Sequence, residues 1–295
     1  MVSEFLTTSS IEQKAGKIII PIAMVSVSFA AIFIRFSDSH PIAIAFYRMF
    51  FSSLILLLFI PRYLDEIKSM SKRDFFILFT TGLLLAVHFS AWFASLRYTT
   101  VASSVVLVSA HPLIVAWISG WYLNEKTNRK AVLGIIIAML GIVVMTFSDY
   151  TVGKLALFGD ILALIGMLAV AGYLIRGREM RKRMSLIPYT FIVYSTSAFF
   201  LALFSIPFST SFKVYAPREY MIFLALAIIP TMFGHTLYNW ALKYVKASFV
   251  SVSLISEPVL SSIFAFLIFT EVPPTLTIVG AGVTLIGIYI CAKNR

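Results

Sequence analysis

Apolar residues in this chain come in solid runs, separated by short polar segments, with no strand-like or one-faced helical alternation. A helix needs about 20 apolar residues to cross about 30 Å of hydrocarbon. Ten runs meet or approach that length, at 18–36, 41–60, 75–96, 100–123, 131–147, 155–175, 188–207, 220–242, 247–269 and 275–292. A membrane barrel would show alternating ten-residue segments, so the runs predict helices. The pattern also repeats. Leu96, Tyr98, Pro112, Glu125, Gly134 and Gly141 recur 146 residues on, without a gap, as Leu242, Tyr244, Pro258, Glu271, Gly280 and Gly287. Pro41 and Tyr47 recur as Pro188 and Tyr194 at an offset of 147. Aliphatic matches alone would mean little in so apolar a chain. Tyrosine, proline, glutamate and glycine matches in one register carry weight.

Each half contributes five spans, an odd number, so the second half enters the membrane from the opposite face. The expected fold is an all-α integral membrane protein of ten transmembrane helices. They form two inverted-topology five-helix repeats, 18–147 and 155–292, with residues 148–154 between them. Inverted repeats are associated with alternating-access transport, with the solute site near the midplane where the halves meet.

Composition agrees with the bilayer. Residues are 60% hydrophobic and only 13% charged, where a soluble domain carries about a quarter charged. A single cysteine, Cys291, excludes an intramolecular disulfide and a cysteine-based metal cluster. Residues 1–17 lack the layout of a signal peptide, so the N-terminus is expected to stay on the mature protein. The net charge of +11 could point to nucleic acid, but the cations sit in short connections between apolar runs. With the N-terminus inside, 18 of them fall on inner segments and five on outer ones. That bias predicts a multi-pass protein of the plasma or inner membrane with both termini cytoplasmic. The bilayer, not nucleic acid, is the expected partner.

Ionisable groups inside hydrocarbon are costly and so mark candidate sites. They are Arg48, His88, His111, Asp160, His235 and Glu257. His111 and Glu257 are equivalent under the 146 offset, lie mid-span, and each precedes a proline that frees a backbone carbonyl one turn back. They are expected to form the polar floor of a midplane cavity or, in the plainer alternative, a buried pair tying two helices together. Glu257 is also the candidate proton-coupling carboxylate. His88 shares a helix face with Trp92, and His235 with Tyr238 and Asn239. Aromatic and amide groups on one face suit a solute wall, though interfacial belts use the same residues. Arg48 either holds an anionic group, pairs with Asp160, or snorkels to the headgroups. With Glu257 it completes the candidate coupling or gating set. Glu125 and Glu271 read as structural. Gly134, Ala138 and Gly141, recurring as Gly280, Thr284 and Gly287, permit close helix approach within one chain or across a homodimer.

The segments "HPIAIAFYR" at 40–48, "HFSAWFASLRYTTVASS" at 88–104 with "HPL" at 111–113, and Glu125 resemble the drug/metabolite transporter superfamily, in particular its EamA-type ten-helix members. A degenerate second copy runs from Tyr238 through Glu257–Pro258 to Glu271. The resemblance spans nearly the whole chain. It implies a carrier of small metabolites, often an exporter, with the first, third, fourth, sixth, eighth and ninth helices lining a central cavity.

Motifs of metalloproteases, serine hydrolases and nucleotide-binding loops are absent from the sequence. Neither an enzyme, a cofactor nor a bound metal is expected. The expected function is secondary transport of small metabolites, amino acids or related compounds, outward, by alternating access. An importer of the same fold, or a non-transporting membrane enzyme or partner subunit, is the alternative.

Overall fold

Asn124 and Thr270 share a left-handed backbone, with φ of 54° and 57°. They stand 146 residues apart, so each half turns out of its fourth helix in the same way. At Asn124 the Glu125 amide reaches back to the Ser119 carbonyl at 2.9 Å, the wrapped C-terminal motif that favours glycine or asparagine at this position. Among the residues that the computed structural model describes (18–99, 101–146, 155–210, 213–270 and 272–294), secondary structure is helical throughout.

Helices occupy all ten predicted positions. They are α1 (Ile20–Arg35), α2 (Pro41–Leu57), the short α3 (Leu64–Lys68), α4 (Lys72–Ser95), α5 (Val101–Val108) with α6 (His111–Tyr122), and α7 (Arg129–Thr146). In the second half they are α8 (Ala156–Arg181), α9 (Leu186–Ser205), α10 (Pro217–Leu226) with α11 (Thr236–Ala241), α12 (Ala247–Leu254) with α13 (Ser256–Phe269), and α14 (Thr275–Lys293). A π-helical stretch, Ala227–His235, joins α10 to α11. Seven rods are long and apolar enough to cross a bilayer, and an eighth if α2 is counted with the bent segment Ile60–Lys68. At 16 residues α1 falls short of that length. The boundary at 148–154 and Glu271 lie outside the described residues.

Starts are specified locally. Pro41 needs no amide partner at the first turn of α2, and His40 Nδ1 accepts from the Ile42 amide at 3.3 Å. Ser71 caps α4 through the Asp74 amide at 3.0 Å. On α8 the outward residues Leu157, Ile161, Leu164 and Leu168 are as apolar as the buried ones. Water would not tolerate that stripe; lipid does.

Two ends of the bundle can be told apart. Ser37 and Ser39 donate to Glu219, and Thr99 donates to Asp160, at one end, the Glu219 end. Arg178 meets Glu125, and the Ser185 amide meets Glu66, at the other, the Glu125 end.

α7 lies antiparallel on α14. Gly134 faces Gly287, and their repeat counterparts Gly280 and Gly141 face each other further along. The small-residue stripe is therefore an intramolecular seam. α4 packs along α8, and the π stretch packs along α1, the equivalent pair of the other half.

Candidate functional site

Three prolines break the helices that surround the centre of the bundle. Pro112 has no amide to give the Val108 carbonyl, four residues back, so α5 stops there and α6 restarts at His111. The His111 ring fills the gap, its Nδ1 lying 2.9 Å from Val108 O. Bonding to a carbonyl places the proton on Nδ1 and leaves Nε2 an acceptor. That Nε2 is buried and lies beside the Ser251 backbone without a well-formed hydrogen bond to it.

Pro230 repeats the device with different residues. Its ring removes the α-helical donor to the Leu226 carbonyl, the backbone widens into the π stretch, and Thr231 Oγ1 also donates to that carbonyl at 2.9 Å. The same hydroxyl accepts from Arg48 Nε at 2.8 Å. Pro258 does likewise at Leu254, where α12 ends and α13 begins with Glu257 in its first turn. The sequence signal for the first and third breaks is the equivalent pair His111–Pro112 and Glu257–Pro258.

The breaks at Pro112 and Pro258 face one cavity of about 280 Å³, and the π-helical stretch reaches it through His235. Arg48, His88, Trp92, His111, His235 and Glu257 line it, with Phe89, Ser109 and Ser261 among their neighbours. His88 Nδ1 lies 2.9 Å from the Gly166 carbonyl, and its ring stacks on Trp92 with centroids 5.8 Å apart. His235 meets the Phe89 ring edge-on at 6.3 Å. Arg48 sits over the other reach of that ring, its Cζ 5.3 Å from the centroid.

Arg48 does not snorkel to the surface: it is 4% exposed. Its Nη2 meets no protein partner. Asp160 accepts instead from Thr99 at 2.7 Å. Arg48 and Glu257 are the residues of opposite charge type in the lining, and they share one small chamber. In a low-dielectric site each lowers the cost of holding the other.

Tyr238 and Asn239 do not line the cavity. Both lie a turn further toward the Glu125 end. Asn239 Nδ2 donates to Tyr173 OH at 2.7 Å and Tyr194 OH at 3.3 Å, and Tyr194 OH meets Thr236 Oγ1 at 3.1 Å. Tyr238 OH reaches the Ser253 carbonyl at 3.5 Å. With Tyr189 they make a buried polar layer beneath the cavity.

An ionic network closes the layer from below. Glu125 accepts from Arg178 Nε at 2.7 Å and Lys182 Nζ at 2.8 Å. Arg178 also donates to the Leu242 carbonyl, and Arg181 Nε to the Asn239 carbonyl at 3.1 Å, where cations suit the end of α11. In the sequence Glu125 reads as structural, but nothing there names Thr231, Phe89 or the cations that Glu125 holds. Pro230 inside an apolar run was the one available signal for Thr231. Among the described residues no three His, Cys, Asp or Glu side chains converge as a metal site.

A family model for EamA-like transporters matches residues 14–147 and again 157–292. An uncharacterized transporter of Archaeoglobus fulgidus is 26% identical over 284 residues, 91% of this chain and 93% of its own. The S-adenosylmethionine uptake transporter of Rickettsia prowazekii is 27% identical over 82% of this chain and 79% of its own. The pseudopaline exporter CntI of Pseudomonas aeruginosa is 24% identical over 77% and 78%. A crystal structure with 16% sequence identity superposes at a TM-score of 0.78, covering 94% of this chain and 96% of that one, a likeness of fold.

Proposed function

The chain belongs to the EamA-like transporter family, and from that premise we propose that it is a secondary carrier working by alternating access through the cavity at the three proline breaks. It is a membrane transporter and not an enzyme. The observation that carries the proposal is the convergence of Arg48 and Glu257, with His88, Trp92, His111 and His235, on one buried chamber between the halves. Charged groups at this depth are retained where a solute or ion passes.

The carrier is built as ten crossings in two inverted repeats, 18–147 and 155–292, with both termini in the cytoplasm. The matching left-handed exits at Asn124 and Thr270 and the reciprocal glycine seam support that reading. The Glu125 end is then cytoplasmic. The tyrosine–asparagine layer and the Glu125 network form the closed inner gate, and Glu257 couples solute movement to protons. Tyr238 and Asn239 act at that gate, meeting solute only when it opens. The solutes are small metabolites, amino acids or related compounds, moved outward. Uptake is the second reading, favoured by the name of the Rickettsia prowazekii relative.

Two measurements test this. A thermal-shift screen of detergent-purified protein against amino acids, polyamines, nucleosides and sugar phosphates names the ligand through its stabilisation. Flux of that ligand is then followed in liposomes holding the purified protein alone. No flux of any stabilising solute overturns the carrier. Labelling of engineered cysteines that puts 62–73 and 176–187 on different sides of the membrane overturns the inverted repeat.

A further inference from the structure

The two halves share proline, glycine and glutamate landmarks in one register, but Arg48 and the turn that holds it have no counterpart. The counterpart of Arg48 is Ser195, that of Pro230 is Leu84, and that of Thr231 is Leu85. A scaffold that opens alternately to two faces is served by symmetric parts. Orienting one asymmetric solute requires parts that are not symmetric.

Thr231 is fully buried. Its hydroxyl has one proton, and arginine accepts none, so the proton goes to Leu226 O and a lone pair receives Arg48 Nε–H. Both capacities are used, which fixes the hydroxyl. The guanidinium is thereby pinned on one edge by Thr231 and on one face by Phe89. Its Nη2 is buried and unpaired by protein, on a side chain that lines the cavity. A planar guanidinium edge is matched by a carboxylate.

We propose that Thr231 is a positioning residue that presents Arg48 to the carboxylate of the transported solute and ties that contact to the π-helical turn at Pro230. The proposal rests on the carrier reading. Its consequence is that solute capture at Arg48 is felt by residues 227–235, whose last member, His235, lines the same chamber. Valine at 231 keeps the shape and loses both hydrogen bonds; serine keeps them.

Three probes share one aromatic body and differ in charge: L-phenylalanine, 3-phenylpropionate, which lacks the amine, and phenethylamine, which lacks the carboxylate. Binding to the detergent-purified chain is measured for each. Wild type is expected to bind both carboxylates at least about tenfold tighter than the amine, the scale of one charge-assisted hydrogen bond. Thr231→Val should weaken the two carboxylates by about tenfold and leave the amine unchanged. Thr231→Ser should behave as wild type, and Arg48→Gln should abolish the preference. Equal binding of all three, no binding, or a Thr231→Val protein with wild-type affinity overturns the proposal. Should Thr231→Val not fold, deuterium uptake of 227–235 in wild type decides: slowing by 3-phenylpropionate supports the coupling, and unchanged uptake refutes it. Flux without carboxylate preference sinks this inference and leaves the carrier. Carboxylate binding through Arg48 without flux does the reverse.

Discussion

Gly134 and Gly287 face each other so closely across the α7–α14 seam that a Cβ on either would fall within 2.7 Å of the other's carbonyl oxygen. No rotamer relieves that overlap, since both partners are backbone. Gly287→Ala should therefore separate the helices and destabilise the protein by about 1–3 kcal/mol, the usual cost of overpacking. Gly282 has nothing within 4 Å of its own Cβ position, so Gly282→Ala should unfold no earlier than wild type, with a gain of up to about 1 kcal/mol from helix propensity. Thermal unfolding in detergent separates the two. Because the seam lies within one chain, the molar mass of the Gly287→Ala particle should not change.

Thr270 is a β-branched residue held at φ 57°, where its side chain crowds the backbone. The other half places asparagine there, a residue that tolerates this region. Thr270→Asn should raise the unfolding midpoint, with a gain of about 1 kcal/mol. A lower midpoint would show that the threonine side chain makes contacts worth more than the strain.

Apolar runs made the helices and the all-α class legible, because span length follows from bilayer thickness alone. Glu257 and His111 were legible because the repeat aligned them and a proline followed each. Arg48 was legible as a candidate but not in its direction, since an arginine a third of the way along a span can turn outward or inward, and only Thr231 and Phe89 decide which. Tyr238 and Asn239 share a helix face with His235 but not its depth. Face follows from spacing; depth depends on what closes the bundle, here Tyr173 and Tyr194. Thr231 was hidden because a π turn leaves no periodic trace in an apolar run.

Glu125 holds Arg178, and both side chains are 10% exposed. Lys182 is 44% exposed and adds little. Glu125→Gln keeps an acceptor but leaves the Arg178 charge unmatched, at a cost of about 1.5–3 kcal/mol. A lower midpoint and faster amide exchange over 236–242 are the expected results. Unchanged exchange there would separate the network from the end of α11.

His40 lies at the Glu219 end, before α2, and burial followed by the Arg97 charge lowers its pKa below the usual 6.5. Its Nδ1 caps the helix only as an unprotonated acceptor. A depressed pKa in the folded state means the contribution is present above the unfolded value, near 6.5, and is lost as pH falls through the folded one. His40→Asn caps without titrating. The variant should lose less thermal stability than wild type between pH 7 and about 5. Parallel melting curves for the two proteins would remove His40 from the pH response.

Glu257 stands at the start of α13 and lines the same chamber as Arg48, and its protonation changes the charge that a solute meets there. With the carboxylate ionised, Arg48 is offset and a cationic group finds a partner. With it protonated, Arg48 is left alone to hold an anion. A cycle that alternates these states moves a proton with each turnover. Glu257→Gln fixes the second state, so it should retain carboxylate binding while losing acceleration of flux by a proton gradient. The check is flux of the thermal-shift ligand into or out of liposomes at matched and unmatched pH. Flux in Glu257→Gln with an undiminished response to the gradient would move the coupling site elsewhere, whereas loss of binding along with flux would assign Glu257 to solute recognition alone.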